Sequence, residues 1–234
     1  MTTIRVIDFE TTGTERPAEV VEVGYCDLER DISGSWSVSQ PTSYLCGAST
    51  MPPEVRAIHH ITLDEVIGQE PFSAIETIEA ASHCAIIAAH NMSFEEQWLQ
   101  VEGMPPKLCT YKAALRVWPD APAHSNSVLR YWLEDQGLLK LNHETAMPPH
   151  RAGPDAYVTA HILRALFAAG ATGKEMVEWT KEPRLLPTCP IGKFRGQKWA
   201  DVETGFLNWM IGQPTMEADL KWNAQRELDR RFAK

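Results

Sequence analysis

The stretch that most constrains this fold is a short β-branched run near the start of the chain, I-R-V-I-D-F-E-T-T-G at residues 4–13. It predicts a buried first strand that ends in Asp8 and Glu10. Residues two apart on a strand point to the same face, so these two carboxylates lie side by side and repel each other. A hard divalent cation such as Mg²⁺ or Mn²⁺ is the usual means of holding such a pair. The run therefore predicts either a metal-binding strand end or an ordinary strand that continues into an acidic turn.

A second informative stretch covers residues 85–95. Its first half, A-I-I-A-A, predicts a buried strand, and H-N-M-S-F-E after it opens a predicted amphipathic helix that continues through Leu99. Glu95 is the carboxylate of this stretch. The two polar residues that precede it, His90 and Asn91, either approach the acidic site or cap the helix.

A third stretch, H-R-A-G-P-D at residues 150–155, leads into a helix whose apolar residues recur at helical spacing up to Leu166. A proline one residue before Asp155 is typical of a helix start. His150 and Asp155 lie five residues apart across this helix entry. Both side chains can therefore face one cleft.

Together the three motifs resemble those of the DEDDh exonucleases, the DnaQ-like superfamily of the proofreading subunit of DNA polymerase. The pattern there is Asp-x-Glu, then His-Asn-x-x-Phe-Asp, then His with Asp five residues on. The run P-P-E-V-R-A-I-H-H-I-T at residues 52–62 adds a fourth match, and the resemblance spans about residues 4–170. It implies an α/β fold, a ribonuclease H-like mixed sheet flanked by helices. Glu95 departs from the pattern, since the superfamily normally has Asp there, and its extra methylene moves the carboxylate by roughly 1.5 Å.

In that superfamily two metal ions about 4 Å apart clamp the scissile phosphate. The resemblance implies two Mg²⁺ ions, for which Mn²⁺ can substitute. Asp8, Glu10 and Asp155 would hold the first ion. Asp8 would also bridge to the second, which Glu95 would bind directly or through water. His150 would accept the proton of the attacking water, a task suited to an imidazole near neutral pH.

The resemblance also implies contacts to the substrate. The backbone at Thr11 and Thr12 is expected to meet the 3′ hydroxyl of the terminal nucleotide. His90 and Asn91 are candidates for the same groove, with helix capping as their alternative role.

Four further residues near these motifs are assigned from their position. His59 and His60 are either surface residues or line the substrate groove. Phe9 lies between the two carboxylates on the strand and is expected to face away from them into the core. Phe94 is expected to pack in the core as well.

The remaining secondary structure follows from periodicity and from turn residues. Residues 19–28 predict a second strand and residues 35–45 a third, which together with the first form an antiparallel meander. A helix over residues 128–135 is predicted to begin at Ser127 as its cap. Residues 190–202 predict a hairpin between strand-like segments.

The bulk properties fit a soluble enzyme of 234 residues. No apolar run approaches the ~20 residues needed to cross a bilayer, and the N-terminus lacks a basic-then-apolar signal sequence. A cytoplasmic protein without membrane partners is therefore expected. The five cysteines are odd in number and lack metal-finger spacing, so they are expected to be reduced and partly buried.

The net charge of −9 is unevenly distributed. Residues 1–173 hold 11 Lys and Arg against 22 Asp and Glu, whereas residues 174–234 hold 11 against 9. Two bound divalent cations would offset about four negative charges of the first part. We therefore predict a catalytic domain over residues 1–172 and a small α+β domain over residues 173–234. Lys193 and Arg195 lie on a predicted turn of the second domain, which either contacts nucleic acid or is a solvated basic tip.

Three functional hypotheses follow. The favoured one is a metal-dependent 3′-to-5′ exodeoxyribonuclease that hydrolyses phosphodiester bonds at single- or double-stranded DNA 3′ ends and releases 5′-mononucleotides. A 3′-to-5′ exoribonuclease of the same superfamily is the alternative enzyme, since contacts to the 2′ hydroxyl cannot be read from the sequence. A nucleic-acid-binding protein with a degenerate site is the third, and Glu95 is its only support. DNA repair, recombination and plasmid or phage maintenance are all compatible pathways.

Overall fold

The computed structural model describes residues 2–233, and the first part of these residues is built on a six-stranded mixed sheet. The strands are β1 (Thr2–Thr11), β2 (Val20–Arg30), β3 (Trp36–Val38), β4 (Thr42–Leu45), β5 (Ile86–Ala89) and β6 (Lys107–Cys109). Their order is β3-β2-β1-β5-β6, with β4 also pairing with β2. β1 is antiparallel to β2 and parallel to β5, which is in turn parallel to β6. The predicted ribonuclease H-like fold class is confirmed.

Helices cover both faces of the sheet and form the C-terminal part of the chain. They are α1 (Pro53–His59), α2 (Leu63–Val66), α3 (Ala74–Ala80), α4 (Thr110–Val117), α5 (Asn126–Asp135), α6 (Ala152–Ala168), α7 (Gly173–Lys181), α8 (Thr204–Gly212) and α9 (Ala218–Phe232). Short 3₁₀ helices lie at Glu95–Gln97, Gly192–Phe194 and Trp199–Asp201. Over residues 2–233, none of the helices combines the length and the apolarity that a bilayer crossing requires.

Strand β1 divides the apolar core into two layers. Ile4 and Val6 point to the layer that contains α6, and Ile7 and Phe9 point to the opposite layer. Because side chains alternate along a strand, Asp8 and Glu10 continue the face of Ile4 and Val6. The two carboxylates therefore emerge on the side of the sheet against which α6 packs.

Helix α6 can approach the sheet closely because β2 has a glycine at the point of contact. A Cβ atom on Gly24 would lie 2.0 Å from the backbone carbon of Ala152 and 2.4 Å from the backbone nitrogen of Gly153. Gly24 is also the residue that pairs with Asp8 across the β1–β2 ladder. Its missing side chain therefore lets the first turn of α6 lie beside the acidic end of β1.

Three local predictions were wrong. The predicted third strand is interrupted between β3 and β4, where Pro41 lacks the N–H that a ladder needs. The predicted helix after His90 is instead a turn followed by a 3₁₀ helix, since Asn91 adopts a left-handed φ of 78° that an α-helix cannot contain. Helix α5 begins two residues earlier than predicted, with Ser125 rather than Ser127 at its N-cap.

The C-terminal unit has its own apolar cluster, which runs from Cys189 to Leu228. The predicted hairpin over residues 190–202 is formed instead by two 3₁₀ helices, with an isolated antiparallel bridge between Thr188 and Lys198. Positive φ at Gly192 turns the backbone out of an extended path. Within residues 182–233 the unit is therefore helical rather than α+β.

Helix α7 packs with the first core, where Met176 is fully buried. The division after residue 172 stays a prediction, and the second apolar cluster begins beyond α7. All five cysteines are buried and free, as predicted.

Candidate active site

Three carboxylates from two elements converge at the carboxyl end of β1. Asp8 and Glu10 come from the strand, and Asp155 comes from the first turn of α6. Each offers an oxygen atom, and these three oxygens lie within 4.8 Å of one another. They lie in a cavity of about 260 Å³ whose lining also includes Thr11, His59, His90, Asn91, Phe94, Glu95 and His150. The structure thus brings together the predicted acidic residues from motifs that lie about 150 residues apart in the sequence.

Burial and mutual repulsion make this cluster resist ionisation. Burial raises the pKa of Glu10 to about 8, and the charges of Asp155 and Glu22 act in the same direction. Burial likewise raises the pKa of Asp8 well above its ordinary value, with Asp155 and Glu10 as the nearest negative neighbours. The pKa of Asp155 is also raised by burial. Fully ionised carboxylates at this density need a positive charge among them.

Glu95 places a fourth carboxylate in the same cavity. It is 2% exposed, and its Oε2 atom has no hydrogen-bond partner within residues 2–233. Burial raises its pKa to about 8. A buried acceptor without a partner is costly, and a metal ion or a metal-bound water satisfies it. The all-oxygen donor set and this unused acceptor fit a hard divalent cation.

His150 lies at the rim of the cavity, next to Asp155. Its backbone N–H donates a hydrogen bond to Oδ2 of Asp155 at 3.0 Å, and its φ of 59° is left-handed. Its side chain is exposed to solvent. The ring is therefore free to meet a substrate, while the backbone orients a carboxylate of the acidic cluster.

A buried ion pair fixes the start of α6, and the sequence reasoning missed it. Glu22 is 2% exposed and lies opposite Glu10 on β2. It accepts two hydrogen bonds from Arg151, at 2.8 and 2.9 Å, and a third from the backbone N–H of Ala152 at 3.0 Å. The signal in the sequence was a glutamate in the middle of an apolar strand, which needs a cationic partner when buried.

The predicted substrate contacts differ in how far they reach the cavity. Thr11 lines it, whereas the backbone N–H and the hydroxyl of Thr12 are both bonded to Glu19. Asn91 lines the cavity with an exposed side chain. His90 is half-buried there, and both of its ring nitrogens are bonded to protein, to the Thr110 hydroxyl at 3.0 Å and to the His124 carbonyl at 2.8 Å. His90 thus braces the cavity wall.

The two histidines that follow α1 have different positions. His60 is exposed and ends the helix with a left-handed φ of 61°. His59 is 2% exposed and lines the cavity. Its Nδ1 accepts the N–H of Ile61 at 3.0 Å, which leaves the proton on Nε2. This donor lies near the backbone of Thr11 but makes no hydrogen bond of full geometry among the described residues. His59 therefore holds an unused hydrogen-bond donor at the acidic site.

Lys193 and Arg195 are exposed and lie outside this cavity. Lys193 forms an ion pair with Glu203 at 2.9 Å. Their contact with substrate stays a prediction. Phe9 is buried and packs edge-on against Phe72 with 5.3 Å between the ring centroids, which confirms its expected core role. Phe94 packs against Trp98 but is half-buried and lines the cavity, so its role in packing alone stays a prediction.

The mixed sheet and its acidic site resemble those of the DnaQ-like 3′-to-5′ exonucleases, as the sequence motifs predict. The chain is similar to exonuclease X, solved in complex with 5′-overhanging duplex DNA. Identity is 28%, the TM-score is 0.58, and the match covers 76% of this chain and 99% of that one. The C-terminal pattern L-L…G-K-F-R-G at residues 185–196 also resembles exonuclease X and would extend the likeness over nearly the whole chain, whereas the structural match covers 76% of it.

Exonuclease I has the same fold. The E. coli enzyme, solved with single-stranded DNA and zinc, matches at 14% identity and a TM-score of 0.54 over 73% of this chain and 41% of that chain. The enzyme from Methylocaldum szegediense matches at 12% identity and a TM-score of 0.52 over 77% and 43%. This chain thus spans less than half the length of exonuclease I. Neither a family model nor a curated protein sequence matches it.

Proposed function

We propose that this protein is a metal-dependent 3′-to-5′ exodeoxyribonuclease that releases 5′-mononucleotides. The observation that carries the proposal is the convergence of Asp8, Glu10 and Asp155 oxygens within 4.8 Å at the end of β1. The structures of exonuclease X with duplex DNA and of exonuclease I with single-stranded DNA support DNA as the substrate. Two Mg²⁺ ions, with Mn²⁺ as a substitute, are the proposed cofactors.

The proposed metal ligands are the four carboxylates of the cavity. Asp8, Glu10 and Asp155 would hold the first ion, and Glu95 with Asp8 would hold the second. Bound divalent cations at such a site supply Lewis-acid activation of water and offset charge on the phosphate. The carboxylates would also orient the scissile phosphate indirectly, because they determine where the bound cations lie.

The proposed proton acceptor is a ring nitrogen of His150. The ring is exposed at the cavity rim, while its backbone is tied to Asp155, so it can reach the water that attacks the phosphorus. The pair between Glu22 and Arg151 holds the adjacent helix start against β2. Proton acceptor and metal ligand thus move as one unit with α6.

The substrate end is proposed to enter between α1 and the turn after β1. Thr11 offers backbone groups to the terminal 3′ hydroxyl, and the Nε2–H of His59 is available to an oxygen of the terminal nucleotide. Asn91 lies on the opposite wall. A cytoplasmic location and a part in DNA repair, or in another process that trims 3′ ends, complete the proposal.

The test is degradation of 5′-labelled DNA and RNA oligonucleotides of one sequence with Mg²⁺, Mn²⁺ or EDTA. Wild type, Asp155→Asn and the surface control Asp64→Asn are compared. We expect a ladder that shortens from the DNA 3′ end in the wild type and in the control, and a loss of at least about 100-fold in Asp155→Asn.

Ladders on RNA that exceed those on DNA would assign the exoribonuclease activity instead. The absence of any ladder with either metal would reject both enzymes. In that case oligonucleotide binding without cleavage would favour the nucleic-acid-binding protein, and Glu95 would be the first residue to exchange for aspartate.

A further inference from the structure

A second groove lies between the sheet domain and the C-terminal unit. Its volume is about 490 Å³. One wall is the end of α4 and the residues after it, from Leu115 to Asp120. The other wall comes from residues 185–188 and from side chains of the C-terminal unit, which include Lys198, Trp199, Asn223, Arg226 and Glu227. The proposed exonuclease site does not use this groove.

Three cationic side chains line it. Two of them, Lys198 and Arg226, are exposed and have no carboxylate partner within residues 2–233. The ion pairs of the C-terminal unit are made by other cations, which include Arg184, Arg230 and Arg231. Lys198 and Arg226 attract anions to the groove, because neither is paired with a carboxylate in the described part of the chain.

The third cation, Arg116, is held in place at the groove wall. Its Nη2 atom bonds to Glu182, and its side chain is only 13% exposed. Its guanidinium carbon lies 5.5 Å from the centre of the Trp179 ring. The Nε–H of this guanidinium is buried and has no hydrogen-bond partner in the described part of the chain. Arg116 therefore adds a guanidinium of fixed orientation to the groove wall, and it shares its charge with Glu182.

The acidic residues of the groove leave this positive charge largely intact. Glu227 accepts hydrogen bonds from Arg230 and Arg231, which lower its pKa to about 2 and offset its charge. Asp120 is exposed at the edge. The groove therefore carries local positive charge in a chain whose net charge is −9.

Helix α4 connects this groove to the acidic cavity. Thr110 at its start bonds to His90, which lines the cavity, and Arg116 lies six residues further on, about 9 Å along the helix axis. The loop beside α4 makes a second connection, because His124 bonds to His90 through its carbonyl and to the Trp118 carbonyl through its ring. A strand of a few nucleotides spans this distance.

We infer that the groove between α4 and the C-terminal unit binds phosphates of the substrate strand, a few nucleotides on the 5′ side of the terminal nucleotide in the acidic cavity. The inference rests on the proposed exonuclease activity. It explains how a protein of net negative charge retains a nucleic acid, since the contacts to phosphate are concentrated in one place. The contacts read the backbone and no base sequence.

The test measures binding of a fluorescent single-stranded 15-mer in EDTA, which prevents cleavage, at several salt concentrations. Lys198→Ala/Arg226→Ala is compared with Lys140→Ala/Lys174→Ala, which removes the same charge from exposed positions outside the groove. We expect the groove variant to lose about tenfold in affinity at low salt. The slope of log K against log salt should fall by about 1.4, which corresponds to two phosphate contacts on a single strand.

The charge-reversal variant Lys198→Glu/Arg226→Glu should lose more affinity than the alanine variant, equally for DNA and RNA of one sequence. The inference is overturned if the groove variant has the affinity and the salt slope of the control, or if affinity falls with an unchanged slope.

Metal-dependent cleavage of a dinucleotide by the wild-type protein tests the proposed function separately, because a single internucleotide phosphate at the acidic site cannot reach the groove. A wild type that binds the 15-mer through Lys198 and Arg226 and cuts nothing would reject the exonuclease alone.

Discussion

At the scale of single residues, Glu95 is the position where this site departs from its superfamily. The 3₁₀ helix that carries it brings a buried carboxylate to the same cavity as Asp8 and Glu10, and one of its oxygens accepts no hydrogen bond from residues 2–233. The longer side chain therefore reaches the site from a backbone that is not α-helical. Charge at this position matters more than the extra methylene.

We predict that Glu95→Asp keeps Mg²⁺-dependent cleavage within about tenfold of the wild type, because a carboxylate is retained. Glu95→Gln should lose about 100-fold or more, since an amide brings no negative charge to a cation. Initial rates on a DNA oligonucleotide measure both, with Glu96→Gln as the adjacent control. A loss beyond tenfold in Glu95→Asp would show that the site is built around the longer side chain.

His59 offers the second test at this scale. Over residues 2–233 its buried Nε2–H makes no hydrogen bond of full geometry, and a buried donor left unsatisfied costs about 1–3 kcal/mol. A substrate oxygen that accepts this hydrogen bond recovers that free energy on binding. We predict that His59→Ala lowers kcat/KM by about 10- to 100-fold.

The control is His60→Asn, because asparagine tolerates the left-handed conformation of His60. Steady-state kinetics on one oligonucleotide compare the two variants. Equal kcat/KM values for His59→Ala and the wild type would exclude a substrate contact by His59.

At the scale of elements, the site depends on how α6 meets β2. The first turn of α6 is fixed by the pair between Glu22 and Arg151 and by the close approach at Gly24. Both features act between elements, and the charges of Glu22 and Arg151 also act, in opposite directions, on the pKa of Glu10. They decide whether Asp155 lies within reach of Asp8 and Glu10.

We predict that Gly24→Ala displaces α6 and lowers activity by at least about 100-fold. The new Cβ would meet backbone atoms of Ala152 at 2.0 and 2.2 Å, and backbone cannot give way as a flexible side chain can. Overpacking of this kind costs about 1–3 kcal/mol, so the Tm should also fall by roughly 4–10 °C. Thermal unfolding and cleavage assays measure the two effects. Gly205→Ala is the control, since its Cβ would meet open space, and a fully active Gly24→Ala would contradict the proposed packing.

At the scale of the whole molecule, the acidic site opposes folding when no cation is bound. The pKa values of Glu10 and Glu95 are raised from 4.5 to about 8, mainly by burial. Between these pH values the native state holds protons that the unfolded state has released. The free energy of unfolding of the metal-free protein therefore falls as pH rises from about 4.5 to about 8.

We predict that the Tm in EDTA falls by at least about 5 °C between pH 5 and pH 8. Saturating Mg²⁺ should reduce this fall, because a cation favours the ionised carboxylates and binds more tightly as they lose protons. Differential scanning calorimetry across this pH range measures both curves. Glu95→Gln should show a shallower fall in EDTA, and a Tm that rises with pH in the metal-free protein would contradict the expectation.

The sequence by itself determined the local parts of this protein. The β-branched run predicted β1 and the shared face of Asp8 and Glu10, because the two-residue period of a strand is a local property. Pro154 and the helical spacing of the apolar residues after it indicated the start of α6, since helix periodicity is also a local property. The resemblance of the motifs supplied the fold class, since matched residues and matched order together are specific.

Only the tertiary structure decided what depends on contacts between distant segments. The partner of Glu22 is 129 residues away, and the groove beside Arg116 exists only where two apolar clusters meet. The short 3₁₀ helix at Glu95 was missed because one residue with positive φ, Asn91, overrides the apolar periodicity of its neighbours. His59 is buried at the cavity, whereas the adjacent His60 is exposed, although the two have the same side chain. Periodicity records which side of an element is apolar, whereas burial, charge pairing and close approach depend on which elements pack together.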